Sequence, residues 1–180
     1  MTADPPRWLT AAQRKAWVAF SGVLIKLPYA LDADMRGRTG FSHFEYLVLS
    51  VLSEQADRSL AMSQLAALSN ASLSRMSHVV TRLEKKGWVS RCPSTDNGRV
   101  TRARLTDAGY EVLVEAAPGH VKAVRELVFD GLTPEQQEQL VTIATRILGR
   151  LDPGGDWPPH EVRPVADPEP HAGAAHAEQP

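Results

Sequence analysis

A single cysteine, Cys92, serves the whole 180-residue chain. That excludes an intramolecular disulfide and the paired C-x-x-C spacings of zinc ribbons, and a reducing, cytoplasmic setting is the expectation. Long hydrophobic runs are also missing. The most apolar stretch, Ala16 to Leu31, is interrupted by Ser21, Gly22, Lys26 and Pro28, so no membrane span is expected. The opening "MTADPPRWLT" has no basic region followed by an apolar core, which argues against a signal peptide. Catalytic signatures are absent: there is no G-x-S-x-G, no H-E-x-x-H and no phosphate-binding glycine loop, and the acidic residues are scattered over helix faces. The chain therefore reads as a non-enzyme with no cofactor. His160, His171 and His176 lie in the tail at spacings without fixed geometry. His43 and His120 have no set of carboxylates and cysteines around them, so no metal site is expected.

Net charge is also scarce, at −1, but its distribution is uneven. Between Ser72 and Arg104 lie eight basic residues: Arg75, Arg82, Lys85, Lys86, Arg91, Arg99, Arg102 and Arg104. Only Glu84 and Asp96 oppose them, a balance of +6 that leaves −7 for the remainder. A basic block inside a slightly acidic protein is the footprint of a polyanion partner. A solvated surface has the same composition, so charge alone does not separate the two.

Helix signals organise the chain around that block. Thr10 and Gln13 form a capping box that opens a helix of some 25 residues, with Trp17, Phe20, Leu24, Leu27 and Leu31 as an apolar seam. Pro28 should bend or break this helix near Leu27, and Arg36–Gly40 reads as a loop. Ser42 and Glu45 cap a buried helix ending near Glu54, followed by a turn, and Ser63 can cap a short helix. Ser69–Ala71 then form a brief turn before a further helix, the spacing of a helix-turn-helix. Gly87 ends that helix. "WVSRC" and "VTRARL" read as strands joined through Asn97-Gly98, a type I′ turn signal. Thr106 caps a helix running toward Phe129, which Pro118-Gly119 should kink or split. "LTPEQQ" starts the last helix, with Leu140, Ile143, Ile147 and Leu151 on one side. The last 29 residues hold seven prolines and read as a disordered tail.

The helix after the turn, "SLSRMSHVVTRLEKKGW", has two faces. Leu73, Met76, Val79, Val80 and Leu83 share one arc; Ser74, Ser77, His78, Thr81, Arg82 and Lys85 share the other. Short hydroxyl side chains allow close approach to a major groove, and the cations further along can anchor on phosphates. An ordinary amphipathic surface helix would have two faces as well. The basic hairpin that follows, with Arg99 and Arg102, favours a winged helix whose wing reaches a minor groove.

Met62 to Gly109, "MSQLAALSNASLSRMSHVVTRLEKKGWVSRCPSTDNGRVTRARLTDAG", resembles the MarR family of winged-helix transcription regulators, most specifically in "SRMSHVVTRLEKKGWVSR" and "LTDAG". "FSHFEYLVLSVLSE" and "AAPGHVKAVRELVFDGLTPEQQEQL" resemble actinobacterial-type members, so the likeness runs from about Trp8 to Leu151. It implies a mainly α fold with a small β-wing: a winged helix-turn-helix lobe over residues 42–106, and dimerisation helices over 10–40 and 107–151. These lie between a flexible N-terminus (1–9) and the tail (152–180). It also implies a homodimeric repressor on a palindromic double-stranded DNA operator, released by a small aromatic or phenolic effector. The DNA-binding residues are then expected to be Ser72, Ser74, Arg75, Ser77, His78, Thr81, Arg82, Lys85, Asn97, Arg99 and Arg102, and the walls of the effector pocket Trp17, Phe20, Phe41, His43 and Phe44.

Two positions depart from the family pattern. His78 stands where arginine is common, and Asn97-Gly98-Arg99 where Asp-x-Arg is common, with Asp96 one residue earlier. Thiol-sensing members carry a cysteine in the first helical region. Here there is none, and Cys92 on a wing strand reads as an inert small residue. The competing function is a winged helix that docks proteins without specific DNA binding.

Overall fold

The computed structural model describes residues 6–93 and 100–152. In order these form α1 (Ala11–Thr39), α2 (His43–Ser53), β1 (Ser59–Ala61), α3 (Met62–Leu68), α4 (Leu73–Lys85), β2 (Val89–Pro93), β3 (Thr101–Leu105), α5 (Asp107–Val124) and α6 (Pro134–Leu151). Capping boxes start α1, α2 and α6 at Thr10, Ser42 and Thr133, and Ser72 and Thr106 cap α4 and α5 by accepting a backbone N–H. These side chains satisfy donors that the first helical turn leaves unpaired.

The core lies where α2, α3 and α4 meet the sheet. Val48, Leu49 and Leu52 of α2 are buried with Leu65, Met76, Val80, Leu83, Ala103 and Leu105, and Leu113 of α5 closes the cluster. α4 contributes only its apolar arc, so its polar arc is left in solvent. Leu73 is the exception on that arc: at the first turn of α4 it is exposed. The three strands are antiparallel in the order β1-β3-β2.

Several local expectations are overturned. α1 does not break at Pro28 but runs unbroken to Thr39. The missing N–H costs one helical bond, and the flanking turns hold. Residues 36–39 are not a loop but the last turn of α1, held by Asp32–Arg36 and Asp34–Arg38 pairs four residues apart. Gly40 ends that turn at φ 76°, in the left-handed region. Pro118-Gly119 likewise does not split α5, which continues to Val124 and then widens into a π-type turn at Arg125–Phe129. Ser63 is not the cap of α3: Ala61 holds that position without a side-chain bond. β1 is an unforeseen strand, pairing Ser59–Ala61 with Arg104–Arg102. Three residues are too few for a readable alternation. The Asn97-Gly98 turn and the tail beyond Asp152 lie outside the described residues, as does part of the N-terminal segment.

By length and hydropathy α1 also contains a stretch apolar enough to cross a membrane, despite its interruptions. Its C-terminal part is packed into the domain, with Met35 fully buried. The rest carries its apolar side chains outward.

Gly109 explains the glycine of "LTDAG". A Cβ there would stand 2.1 Å from the Trp88 carbonyl oxygen. The Thr106 hydroxyl accepts from the Gly109 N–H and donates to the Gly87 carbonyl, so the start of α5 is locked onto the end of α4. Gly109→Ala is expected to destabilise the fold by about 1–3 kcal/mol in chemical denaturation, because backbone would have to move. Gly119→Ala, whose Cβ meets only the end of the Arg38 side chain, should cost much less.

Candidate nucleic-acid interface

α3, the turn at Ser69–Ala71 and α4 form a helix-turn-helix. Asn70 takes a left-handed conformation at φ 46°, and the Ala71 N–H donates to the Ala66 carbonyl. Ser74, Ser77, His78, Arg82 and Lys85 are exposed along one side of α4, and Thr81 is half-buried beside them. Ser72 is the N-cap, accepting from the Arg75 N–H at 3.2 Å. The Arg75 guanidinium lies over the Phe44 ring, 4.4 Å from its centroid.

Four of the basic side chains, Arg82, Lys86, Arg91 and Arg102, are paired with carboxylates of the protein. Glu45 is only 5% exposed, yet its Oε1 lies 3.3 Å from Arg82 Nε and 4.0 Å from Lys86 Nζ. Its Oε2 accepts from the Ser42 N–H and hydroxyl. Burial opposes its ionisation, but the Ser42 bonds and the two cations outweigh that and hold its carboxyl below the ordinary range. Arg91 on β2 reaches α4, where it pairs with Glu84 and donates from Nη2 to the Ser77 carbonyl at 2.9 Å and the Thr81 hydroxyl at 3.1 Å. Arg102 on β3 donates to the Ser59 hydroxyl and carbonyl and pairs with Asp57 at 3.2 Å. Of the wing residues, Arg102 is thus engaged within the sheet, while Asn97 and Arg99 lie outside the described residues. In the sequence Arg91 stands out only as part of the basic block. Its contact with α4 depends on the hairpin folding back, which no local pattern signals.

The five pocket candidates are not brought together. His43 and Phe44 line a groove of about 740 Å3 between α1, α2 and α4, whose walls also include Pro28, Arg36, Arg75 and His78. Phe41 is buried in the core, edge-on to Trp88 at 5.2 Å. Trp17 and Phe20 are exposed on α1, well away from the groove.

Behind the groove, His43 and His120 of α5 sit with ring centroids 5.1 Å apart, and Tyr46 is 4.5 Å from His120. His43 Nε2 is buried without a partner among the described residues. Burial first, then the nearby His43 and Arg38, push the His120 imidazole down from the ordinary 6.5 to about 4; Asp34 acts weakly in the opposite sense. Between those two values the unfolded chain binds more protons than the folded one, so stability falls as pH drops from 6.5 toward 4. Denaturant titrations across this window should show that fall, and His120→Gln should flatten it.

A helix-turn-helix with a β-hairpin packed beside its second helix defines a winged helix-turn-helix protein. A family model described as "MarR family" matches residues 41–101. The structure superposes with a TM-score of 0.78 on Sco3205, a MarR family transcriptional regulator from Streptomyces coelicolor solved in complex with DNA. The two share 44% identity over 83% of this chain and 94% of that one. AbsC, a MarR family regulator from the same organism, matches with a TM-score of 0.75 and 34% identity over 81% of this chain and 98% of its own. Among curated proteins, the transcriptional repressor MprA of Escherichia coli K12 is 28% identical over 113 residues, 63% of this chain. The chain spans 64% of the length of that relative. The chain belongs to the MarR family of winged-helix transcriptional regulators.

Proposed function

We propose that this protein is a sequence-specific double-stranded DNA-binding transcriptional regulator, a homodimeric repressor released by a small ligand, acting in the cytoplasm. The observation that carries the DNA reading is the exposed polar side of α4. Short hydroxyl side chains lie between cations there, and the wing is tied alongside by Arg91. The solved complex of Sco3205 with DNA supports the same reading. Ser74, Ser77, His78 and Thr81 then face base edges, Arg82 and Lys85 face phosphates, and Asn97 and Arg99 belong to the wing contact. Ser72 and Arg102 act mainly by holding the elements that present them.

The dimer reading rests on apolar surface that stands exposed among the described residues. On α1, Trp17 is 55% exposed, Ile25 74% and Tyr29 79%; α6 adds Val141, Ile143 and Leu151. A mostly apolar groove of about 560 Å3 runs between α1 and the α5–α6 junction, lined by residues such as Val23, Leu27, Leu127 and Leu140. Helices of a second copy fit such a surface, and the same surface accounts for the membrane-like hydropathy of α1. A two-fold dimer would set two α4 helices about 34 Å apart, one turn of DNA.

The ligand reading rests on the groove beside α4. Phe44 and His43 offer aromatic faces and Arg36 and Arg75 offer cations, a wall suited to a small aromatic or phenolic anion. Because α1 forms one side and α4 the other, an occupant there would favour one angle between them and shift the dimer away from its DNA-competent spacing.

Selection of duplexes from a random pool should return a palindrome, with affinity falling about 10³-fold or more between 50 and 200 mM salt. No duplex bound at low salt would leave the protein-docking alternative. Val18→Glu combined with Ile25→Glu should convert the dimer to a monomer in sedimentation and abolish operator binding, with little change in the monomer's helical content.

A further inference from the structure

Thr81 lies on the reading side of α4, where its hydroxyl would ordinarily be credited with a hydrogen bond to a base. The structure has already committed that group. Its proton is donated to the Ser77 carbonyl at 2.9 Å. One of its acceptor positions is taken by Arg91 Nη2 at 3.1 Å. A threonine hydroxyl has one donor and two acceptor positions, so no donor remains for a base edge. The arginine that occupies the acceptor position is itself fixed, because Arg91 also pairs with Glu84, and its backbone N–H donates to the same carboxylate at 3.1 Å.

What Thr81 has left is one acceptor position and its methyl group. In the major groove a threonine methyl meets the C5 methyl of thymine, an apolar contact that needs no donor. From this geometry we infer that Thr81 reads a thymine through its methyl group, and that Arg91 is the positioning residue that holds it in that orientation. Glu84 has a place in the same device. A carboxylate on a DNA-facing helix would repel phosphates, and its pairing with Arg91 neutralises it. Ser77 has no methyl, and its hydroxyl only accepts a long bond from Arg91 Nη2 at 3.5 Å, so its proton is left for a polar base contact.

The inference rests on the proposed DNA reading, and the test separates the two. The full-length protein first selects a duplex from a random pool. Each thymine of that duplex is then replaced in turn by uracil, which removes only the C5 methyl. Wild-type protein should lose about threefold to tenfold in affinity at one thymine in each half-site. Thr81→Val, which carries a methyl on both branches and so needs no bond from Arg91 to present one, should retain that discrimination, and Thr81→Ser, which keeps only the hydroxyl, should lose it. Arg91→Ala should lose it too while keeping the base preferences read elsewhere in the half-site. Wild-type indifference to every uracil overturns the inference without recourse to a variant. So does full discrimination by Thr81→Ser, which decides the matter even where Thr81→Val folds poorly. Failure to select any duplex overturns the DNA reading and this inference with it.

Discussion

The carboxylate of Glu45 is the contact on which the rest of this structure turns. A buried, ionised carboxylate is costly unless each oxygen finds partners. Here one oxygen closes the cap of α2 through Ser42 and the other meets Arg82 and Lys86 at the end of α4. The cost of burying the charge can be met only when α2 and α4 lie in one relative arrangement. That arrangement is also the one in which the apolar arc of α4 seals the core and its polar arc stands free.

Two further arginines extend the same logic to the wing. Arg91 binds β2 to α4, and Arg102 binds β3 to Ser59 of β1 and to Asp57 just before it. The basic block therefore does two jobs. Its summed charge still creates a positive field over this side of the protein, since side chains such as Arg82 remain more than half exposed. Its individual members, however, are largely orienting groups that make a helix and a hairpin into one rigid surface. Such rigidity matters for a protein proposed to read base edges, where a small displacement of a short side chain removes its contact.

The long helices pose the opposite situation. Among the described residues, α1 and α6 carry many exposed apolar side chains, and α6 has no buried side chain at all. The winged-helix lobe satisfies its own core, while α1 and α6 present the apolar side chains on which the proposed dimer rests. The groove that involves His43 and Phe44 lies between these two regimes, at the joint where α1 enters the lobe.

What the sequence determined on its own was local. Helix starts at Thr10, Ser42, Ser72, Thr106 and Thr133 depend on side chains three residues from the backbone groups they satisfy, so they can be read from the chain directly. The two faces of α4 and the strands of the hairpin depend on periods of 3.6 and 2, and are equally legible. Family membership followed from the same segments. The tertiary structure alone decided the rest. Pro28 and Pro118 sit inside continuous helices, because the turns on either side of each hold together without the one missing bond. β1 exists because β3 is there to pair with it. The roles of Arg82, Arg91 and Arg102 are set by partners 37, 10 and 43 residues away, and Arg91 is also what occupies an acceptor position of Thr81. A side chain's chemistry is written in its identity, but which of its bonds remain available depends on neighbours that only the folded chain brings within hydrogen-bond distance.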